Sequence, residues 1–434
     1  MRTRNICKFL MMGLFVSGIF FSGCKKSNTP IVPIQSFTIG VILPMDQEKG
    51  LLRERALRTA IDAINESGGV GYGQRIRLVV KSSGGGNREE MAAKAANDII
   101  SSSNNLVGFI TSFSSCSKGV VEQVAIPGHY PVISGASTGG FLTGISHYFQ
   151  RLCPPDAFEA NVLTDQALEY GITSVAIAVE EGDIYSSDLA ATFQQAFGTG
   201  ASTKVFFSAG DPDYLAKLDQ LLAGNPDAIL LSMLNPGVYN EFITRLSEVN
   251  NRNGLINTTF ILCDAFYTET VFDAPVGIMV GEVNGHPKNF GAMPAADTTT
   301  APYRYFRTAL MNRYQQEVAS YNAQFFDIGY IYAMAIEKTL LEMGTGNMAA
   351  FRERSAFWIR QVSHGNPGDT PVMPSLGWNS IKHACMNGGV DYQGASGNCN
   401  IDYQGNTVTP YAIFKIAGTQ GNYSFETISI VYPE

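Results

Sequence analysis

Two clusters of small hydroxyl residues each follow an apolar, strand-like segment. Residues 106–110 (Leu-Val-Gly-Phe-Ile) lead into 111–117 (Thr-Ser-Phe-Ser-Ser-Cys-Ser), and 130–133 (Tyr-Pro-Val-Ile) lead into 134–140 (Ser-Gly-Ala-Ser-Thr-Gly-Gly). In a parallel α/β sheet, ligands bind beyond the carboxyl ends of the strands. Helix N-termini at that edge favour anionic groups such as a carboxylate. The two clusters therefore predict one wall of a cleft that binds a small molecule.

The second cluster also fits the G-x-S-x-G pattern of a hydrolase nucleophile elbow, because residues 135–139 read Gly-Ala-Ser-Thr-Gly. Asp264, followed by His286, His364 or His383, would complete a serine triad in the chain order of the α/β-hydrolases. A working elbow leads straight into a helix, whereas two glycines at 139–140 interrupt the chain here. We therefore favour ligand binding, expect no enzyme, and keep a serine hydrolase as the less favoured alternative.

Other chemistries have weaker support in the sequence. The glycine-rich run 82–86 is not followed by the Lys-Ser/Thr of a phosphate-binding loop, and no Cys/His spacing indicates zinc. We expect no cofactor and no metal. The net charge of −8, without clusters of Lys and Arg, argues against a nucleic-acid partner.

The first residues predict an export signal and a lipid anchor. Basic residues at 2, 4 and 8 precede an apolar run at 9–21, which falls short of the roughly 18 residues that a membrane span needs. Small residues then lead to Cys24, as in a bacterial lipobox. We expect a signal peptide at 1–23, lipidation of Cys24, a tether at 24–35 and a location in the cell envelope. Lys25-Lys26 after the cysteine favours the outer membrane or cell surface over the inner membrane.

The remaining cysteines are odd in number, so they cannot all form intramolecular pairs. Cys385 and Cys399 flank a glycine-rich stretch and are the best candidates for a disulfide in an oxidising compartment.

Strand-like and helix-like segments alternate along residues 36–134 and again along 157–262, which predicts two α/β units. Cys153-Pro-Pro marks the crossing between them. Long helices at 302–321 and 324–343, a weakly periodic segment at 364–407 and two final strands complete the predicted order.

Several of these segments resemble the type I periplasmic binding proteins, in particular the leucine/isoleucine/valine-binding branch of ABC-transporter receptors. The similarity lies in the opening strand 39–44, the helix and glycine turn 60–71, the strand 76–80, the strand and aromatic turn 175–185 and the aromatic helix 324–330. The resemblance implies two doubly wound parallel-sheet lobes joined by a three-strand hinge. We expect crossings near 153, 283 and 408, so that lobe one contains 36–152 plus 284–407 and lobe two contains 153–283 plus 408–434.

The resemblance also implies a set of ligand-binding residues. Ser114 or Ser115 and Thr138 would donate to a ligand carboxylate, and the main-chain carbonyl of Ser137 would contact its ammonium. From lobe two, Tyr185 would pack on the ligand and Asp264 would face the ammonium.

These expectations combine into a lipid-anchored binding protein that captures an amino acid or similar small carboxylate by hinge closure. We expect the protein to be a monomer and to deliver its solute to an ABC permease. The alternative is a lipoprotein of the same fold that acts as a protein-interaction or sensory module, for a cell-wall synthase or a sensor kinase. Two features favour this alternative: the turn at 45–50, which is bulkier and more charged than the family pattern, and the long insertion at 364–407.

Overall fold

The computed structural model describes residues 35–84, 88–253 and 257–432. The predicted signal peptide, Cys24 and nearly all of the predicted tether lie outside these residues. Among the helices of the described residues, none is long and apolar enough to cross a membrane.

The first sheet has five parallel strands, β1 (Ser36–Leu43), β2 (Arg75–Ser82), β3 (Leu106–Thr111), β4 (Val132–Ser134) and β5 (Phe149–Arg151). Their spatial order is β2-β1-β3-β4-β5, which is the doubly wound arrangement with a switch point between β1 and β3. The central β3 is buried along its whole length, as expected for a parallel strand with helices on both faces. The first helices that cover this sheet are α1 (Glu48–Glu66), α2 (Arg88–Ser102) and α3 (Ser114–Val120). Helix α3 continues through a π turn (Val121–Ala125) into α4 (Ile126–Gly128). We call this sheet and its covering helices lobe one.

The remaining strands follow in chain order: β6 (Val175–Glu180), β7 (Thr203–Phe207), β8 (Ala228–Ser232), β9 (Thr259–Leu262), β10 (Glu282–Val283), β11 (His286–Pro287), β12 (Asn289–Pro294), β13 (Thr370–Val372), β14 (Val390–Tyr392), β15 (Tyr411–Thr419) and β16 (Asn422–Val431). Seven of them form the second sheet, in the order β16-β15-β12-β9-β8-β6-β7. The five strands from β12 to β7 are parallel, and the β15–β16 hairpin joins them antiparallel. The helices α5 (Asp156–Glu169), α6 (Ile184–Phe197), α7 (Tyr214–Leu222) and α8 (Pro236–Asn253) complete this unit, which we call lobe two.

The last helices, α9 (Ala301–Tyr314), α10 (Asn322–Met343), α11 (Met348–His364) and α12 (Trp378–Asn387), return to lobe one. Helix α10 is apolar almost all round, which is typical of a helix buried on every side. It packs between α1 and α11. Gly329 permits the close approach to α1, because a Cβ at this position would lie 2.7 Å from the Cβ of Ala60. The predicted fold class of two α/β lobes is therefore confirmed.

The chain crosses between the lobes three times. The first crossing follows β5, and the third lies between Thr407 and β15. Thr407 is still held to lobe one, because its Oγ1 donates to the carbonyl of Arg151 at 2.8 Å. The second was expected near 283 and is corrected here: β12 pairs with β9 and β15, so the chain leaves lobe two only after Pro294. This short strand ends in a proline and lacks alternation, which is why the sequence pattern did not predict it.

The predicted disulfide between Cys385 and Cys399 is wrong for this structure, in which both cysteines are free and buried. Cys385 lies in α12. Cys399 lies in the segment 394–399 instead, with its Sγ 3.6 Å from Asp327 Oδ2 of α10. The weakly periodic segment 364–407 thus contains α12 and the parallel pair β13–β14, and a carboxylate instead of a disulfide holds its glycine-rich part.

Asp327 holds this segment through four conventional hydrogen bonds. Its Oδ1 accepts from Tyr392 Oη (2.7 Å) and the Ala395 N–H (2.8 Å), and its Oδ2 accepts from the Ser396 N–H (2.7 Å) and Oγ (2.6 Å). The carboxylate is fully buried, so removing it leaves two main-chain donors without a partner.

We expect Asp327→Ala to lower the free energy of unfolding by about 3 kcal/mol, because each buried unsatisfied donor costs about 1–3 kcal/mol. Chemical denaturation measures the change, and hydrogen exchange should accelerate at 394–399. Tyr392→Phe, which removes one donor and leaves the carboxylate, should cost about 1 kcal/mol. An Asp327→Ala variant as stable as the parent would contradict this role.

Candidate functional site

A cavity of about 480 Å³ lies between the two lobes, at the carboxyl ends of the parallel strands. Lobe one contributes the turn after β1, the loops after β3 and β4 and the segment before α10. Lobe two contributes the start of α6, the segment after β9 and one face of β16. The lining residues used below are Lys49, Arg53, Phe113, Ser114, Thr138, Tyr185, Asp264, Tyr267, Phe272, Tyr321, Tyr423 and Phe425.

The two hydroxyl clusters divide into cavity residues and supporting residues. Ser114 and Thr138 line the cavity, and Ser114 Oγ accepts from the Gly139 N–H at 2.9 Å, so the two loops hold one another. Ser115 is buried outside the lining, and its hydroxyl has no partner among the described residues. Ser137 is buried too, with its Oγ 2.6 Å from Ser134 Oγ and 2.7 Å from Ser117 Oγ.

The network around Ser137 accounts for the shape of the second loop. The buried Arg151 of β5 donates from Nη1 to the carbonyls of Ser137 and Gly139, both at 2.9 Å, and from Nε to Asn406 Oδ1 at 2.9 Å. The Ser137 carbonyl, which was expected at the ligand ammonium, thus faces a guanidinium. In these contacts the Ser137 hydroxyl has serine partners and no histidine, and a catalytic triad is not assembled.

Asp264 lies directly after β9, as predicted, and its carboxylate joins the two lobes. Its Oδ1 accepts a short hydrogen bond from the Tyr185 hydroxyl of lobe two. Its Oδ2 accepts one from the Tyr321 hydroxyl, which comes from the segment before α10. Tyr321 was missed at the sequence level, where it looked like the end of a helix. The structure places it at the N-cap of α10 with a left-handed φ of 63°, a conformation that non-glycine residues adopt mostly at constrained positions.

Two cations of lobe one, Lys49 and Arg53, also line the cavity. Both lie in the first two turns of α1, and Lys49 belongs to the charged segment 45–50, whose last residues begin this helix. Only 4% of Arg53 is exposed; its Nη1 donates to Ser112 Oγ at 2.5 Å, and its Nε has no partner among the described residues. The sequence showed that this segment departs from the family pattern, but not that Lys49 within it and Arg53 just beyond it would line the cavity.

Burial lowers the pKa of both cations. Loss of solvent lowers the pKa of Lys49 to about 7, and repulsion from Arg53 and Arg88 acts in the same direction. Loss of solvent also lowers the pKa of Arg53 to about 10, while the carboxylate of Asp264 opposes the shift in both groups. We call the part of the cavity lined by Arg53, Lys49 and Ser114 its floor. Positive charge is only partly compensated there.

Aromatic rings surround these cations. The Phe113 ring centroid lies 5.1 Å from Lys49 Nζ, 5.4 Å from Arg53 Cζ and 5.3 Å from Arg88 Cζ. Cations at this distance are attracted by the ring quadrupole, a contribution of about 0.5–2 kcal/mol each. Phe113 has a left-handed φ of 67°, at the junction of β3 and α3. On the lobe-two side, Phe425 packs against Tyr267 (4.4 Å between ring centroids) and Phe272 (4.9 Å).

Further contacts bridge the lobes at the side of the cleft. Arg88 Nη1 of α2 pairs with Asp183 Oδ2 at 3.2 Å, and both side chains are buried. Asp183 also caps α6, since its Oδ1 accepts from the Ser186 N–H at 2.8 Å. The Gly140 N–H donates to Asp188 Oδ2 of α6 at 2.6 Å. The structure is thus a closed form, in which α6 contacts both loops of lobe one.

Two more carboxyls lie beneath the cavity on α5. Asp156 and Glu159 are fully buried, and burial together with the nearby Asp264 raises the pKa of both well above the usual range. Glu159 Oε1 accepts from the Asp264 N–H at 2.8 Å. Burial at this position disfavours the charged form of a carboxyl group.

The sequence pattern of a family described as receptor family ligand binding region matches residues 52–419. No curated protein sequence matches the chain.

Solved structures share the fold at low sequence identity. A leucine-binding protein, LivK, from Thermotoga maritima has a TM-score of 0.70 and 21% identity, over 92% of this chain and 99% of LivK. The branched-chain amino acid substrate-binding protein LivJ from Streptococcus pneumoniae, solved with isoleucine, has a TM-score of 0.68 and 18% identity, over 91% and 99% of the two chains. An ABC-transporter solute-binding protein of R. palustris, solved with benzoate, has a TM-score of 0.66 and 14% identity, over 92% and 97%. The predicted resemblance is confirmed.

The site predicts a pH dependence of stability that originates at Lys49. The pKa of Lys49 is about 7 in the folded chain and about 10.4 in an unfolded chain. Between these values the unfolded state binds the proton and the folded state does not, so stability rises with pH across this window. The slope is at most about 1.4 kcal/mol per pH unit.

We expect Lys49→Met to flatten the rise in unfolding free energy between pH 7 and pH 10, as measured by chemical denaturation at several pH values. Lys94→Met is the matched control, because Lys94 is an exposed lysine on α2 that is paired with Asp98. Equal slopes in the two variants would show that Lys49 is not the buried group responsible.

Proposed function

The chain belongs to the family of receptor ligand-binding regions, and we propose that it is an extracytoplasmic solute-binding protein that captures a small carboxylate. Amino acids are among the candidate solutes, and an ABC permease is the proposed recipient. The observation that carries the proposal is the interlobe cavity of about 480 Å³, whose floor combines the buried Arg53 with Lys49 and Ser114. Its volume suits a small organic solute.

Each feature of the cavity has a role in this proposal. Arg53 and Lys49 would form charge-assisted hydrogen bonds with the carboxylate, which are stronger than neutral ones. Ser114 and Thr138, the two predicted residues that line the cavity on the lobe-one side, would supply further donors. Tyr185 and the aromatic face of β16 would cover the apolar part of the solute.

Capture would work by hinge closure and involves no chemical step. A ligand stabilises the closed state only to the extent that it binds that state better than the open one. A solute in this cavity would contact groups of both lobes at once, which the open state cannot offer. The bonds from Tyr321 to Asp264 and from Arg88 to Asp183 would form in the same motion.

The location is proposed from the sequence alone. A lipid on Cys24 and the polar segment after it would hold the binding protein at the surface of an envelope membrane. Receptors of this kind pass the solute to a membrane-bound permease, and the net charge of −8 leaves nucleic acid an improbable partner.

A thermal-shift screen of amino acids and other small carboxylates tests the capture of a solute. We expect one class of carboxylates to raise the melting temperature by several degrees, because a ligand that binds only the folded state stabilises it by about 2.7 kcal/mol at 100 times its Kd. Neutral amides of the same acids are the matched controls and should give smaller shifts.

A screen without any shift, together with co-purification of an envelope protein, would replace this proposal by the alternative of a protein-interaction or sensory lipoprotein.

The anchor is tested separately by Cys24→Ala. We expect the parent chain, expressed with its first residues in a Gram-negative host, to sediment with membranes and to partition into detergent. The Cys24→Ala variant should stay in the aqueous phase, because one residue carries the lipid. A variant that still sediments with membranes would contradict lipidation at Cys24.

A further inference from the structure

We propose that the solute of this cleft is an apolar or aromatic carboxylic acid without a free ammonium group, held through its carboxylate by Arg53 and Lys49. The inference rests on the proposed function, because it names the ligand class of the same cavity. It differs from the expectation of an amino acid in what it assigns to Asp264.

Asp264 is already engaged on each of its oxygens. The Tyr185 and Tyr321 hydroxyls donate to Oδ1 and Oδ2, and the Asp264 N–H donates to Glu159. Only 7% of the residue is exposed. A ligand ammonium at this position would have to share these oxygens with the two tyrosine hydroxyls, and it would compete with the contact from Tyr321 that joins the lobes.

The cations nearby have no such partners. Arg53 donates to the neutral hydroxyl of Ser112, its Nε is unpartnered among the described residues, and its guanidinium lies over the rings of Phe113, Tyr321 and Phe325 at 5.4, 5.4 and 5.8 Å. Lys49 lies over the same Phe113 ring. Arginine in a buried position binds carboxylates through two parallel hydrogen bonds, and here part of that capacity is free.

The charges around the cavity add up in favour of an anion. Two cations, Arg53 and Lys49, and one carboxylate, Asp264, line the inner part of the cavity, whereas Asp156 and Glu159 of α5 lie outside its lining. The remaining acids of the lining, Glu48, Glu269 and Glu317, are exposed at the mouth, where Glu317 Oε2 accepts from Arg307 Nε at 3.0 Å. A ligand with one negative charge balances the excess positive charge of these three groups, whereas a zwitterion, which has no net charge, leaves it unbalanced.

The opposite wall indicates the rest of the ligand. Tyr267, Phe272, Tyr423 and Phe425 form one group of packed aromatic rings on lobe two, with neighbouring ring centroids 4.4 to 6.2 Å apart. Such a wall binds a planar or branched apolar body through its faces and edges. A ligand with a carboxylate at one end and an apolar body at the other matches both sides of the cavity.

Pairs of acids with the same carbon skeleton test the inference directly. We would titrate the full chain by calorimetry with 4-methylpentanoate against leucine, and with 3-phenylpropanoate against phenylalanine. Because the free ammonium is the difference within each pair, we expect the acid without it to bind at least about tenfold more tightly, the effect of one charged contact. Tighter binding of the amino acid in either pair overturns the inference but supports the proposed function. If no member of either pair binds, and the carboxylate screen is negative as well, the proposed function fails and the inference with it.

Variants locate the carboxylate. Arg53→Met and Lys49→Met should each weaken binding of the preferred acid by about 10–100-fold, the range for hydrogen bonds to charged groups. Arg55→Met is the matched control: it removes a cation from the same helix, where Arg55 lies over Tyr314 outside the cavity lining, and it should bind as the parent does.

If Arg53→Met does not fold, as judged by circular dichroism, Lys49→Met carries the test, because Lys49 is less buried. Unchanged binding of the acid by a folded cation variant overturns the assigned position of the carboxylate.

Discussion

The closed cleft depends on one carboxylate, that of Asp264, which accepts hydrogen bonds from both lobes and attracts the charges of Lys49 and Arg53. A carboxylate this deeply buried is stable only when donors satisfy it. The Tyr185 hydroxyl satisfies it in lobe two alone, whereas the Tyr321 hydroxyl reaches it only when the lobes are together. The same bond therefore satisfies a buried charge and keeps the cleft shut.

Two buried arginines hold the lobe-one loops of the site. Arg151 fixes the loop after β4 through two carbonyls and reaches Asn406 at the third crossing. Arg53 contacts Ser112 next to the left-handed Phe113. Both guanidiniums lie at the carboxyl ends of strands, where a parallel sheet leaves main-chain groups free. The site is thus organised in advance, which lowers the ordering cost of binding.

The sequence predicted the fold well because the pattern that specifies it is local. Alternating apolar segments placed β6, β8 and β9 almost to the residue, and glycine turns separated them from the helices. It failed where the determinant is distant in the chain. The strand β12 is specified by its pairing with β9 and β15, and the loop 394–399 by Asp327, which is over 60 residues away.

The residues of the site were likewise predicted only in part. Asp264 and Tyr185 were predicted from the resemblance to the binding-protein family, and both line the cavity. Tyr321 was missed because only the tertiary structure brings the start of its helix, α10, to the cavity. The segment 45–50 was recognised as unusual. The sequence alone does not distinguish charged residues on an exposed turn from charged residues that line a cavity. Burial distinguishes them, and burial is a property of the whole fold.

The division of chemistry between the lobes constrains what can close the cleft. Lobe one presents Arg53 and Lys49, while lobe two presents the stacked rings around Phe425. A ligand that satisfies only the cations would stabilise lobe one equally in the open and closed states, and would shift no equilibrium. One that has only an apolar body would leave the cations uncompensated at the moment when closure removes their water. Closure is favoured when one molecule meets both requirements, so selectivity and hinge motion arise from the same contacts.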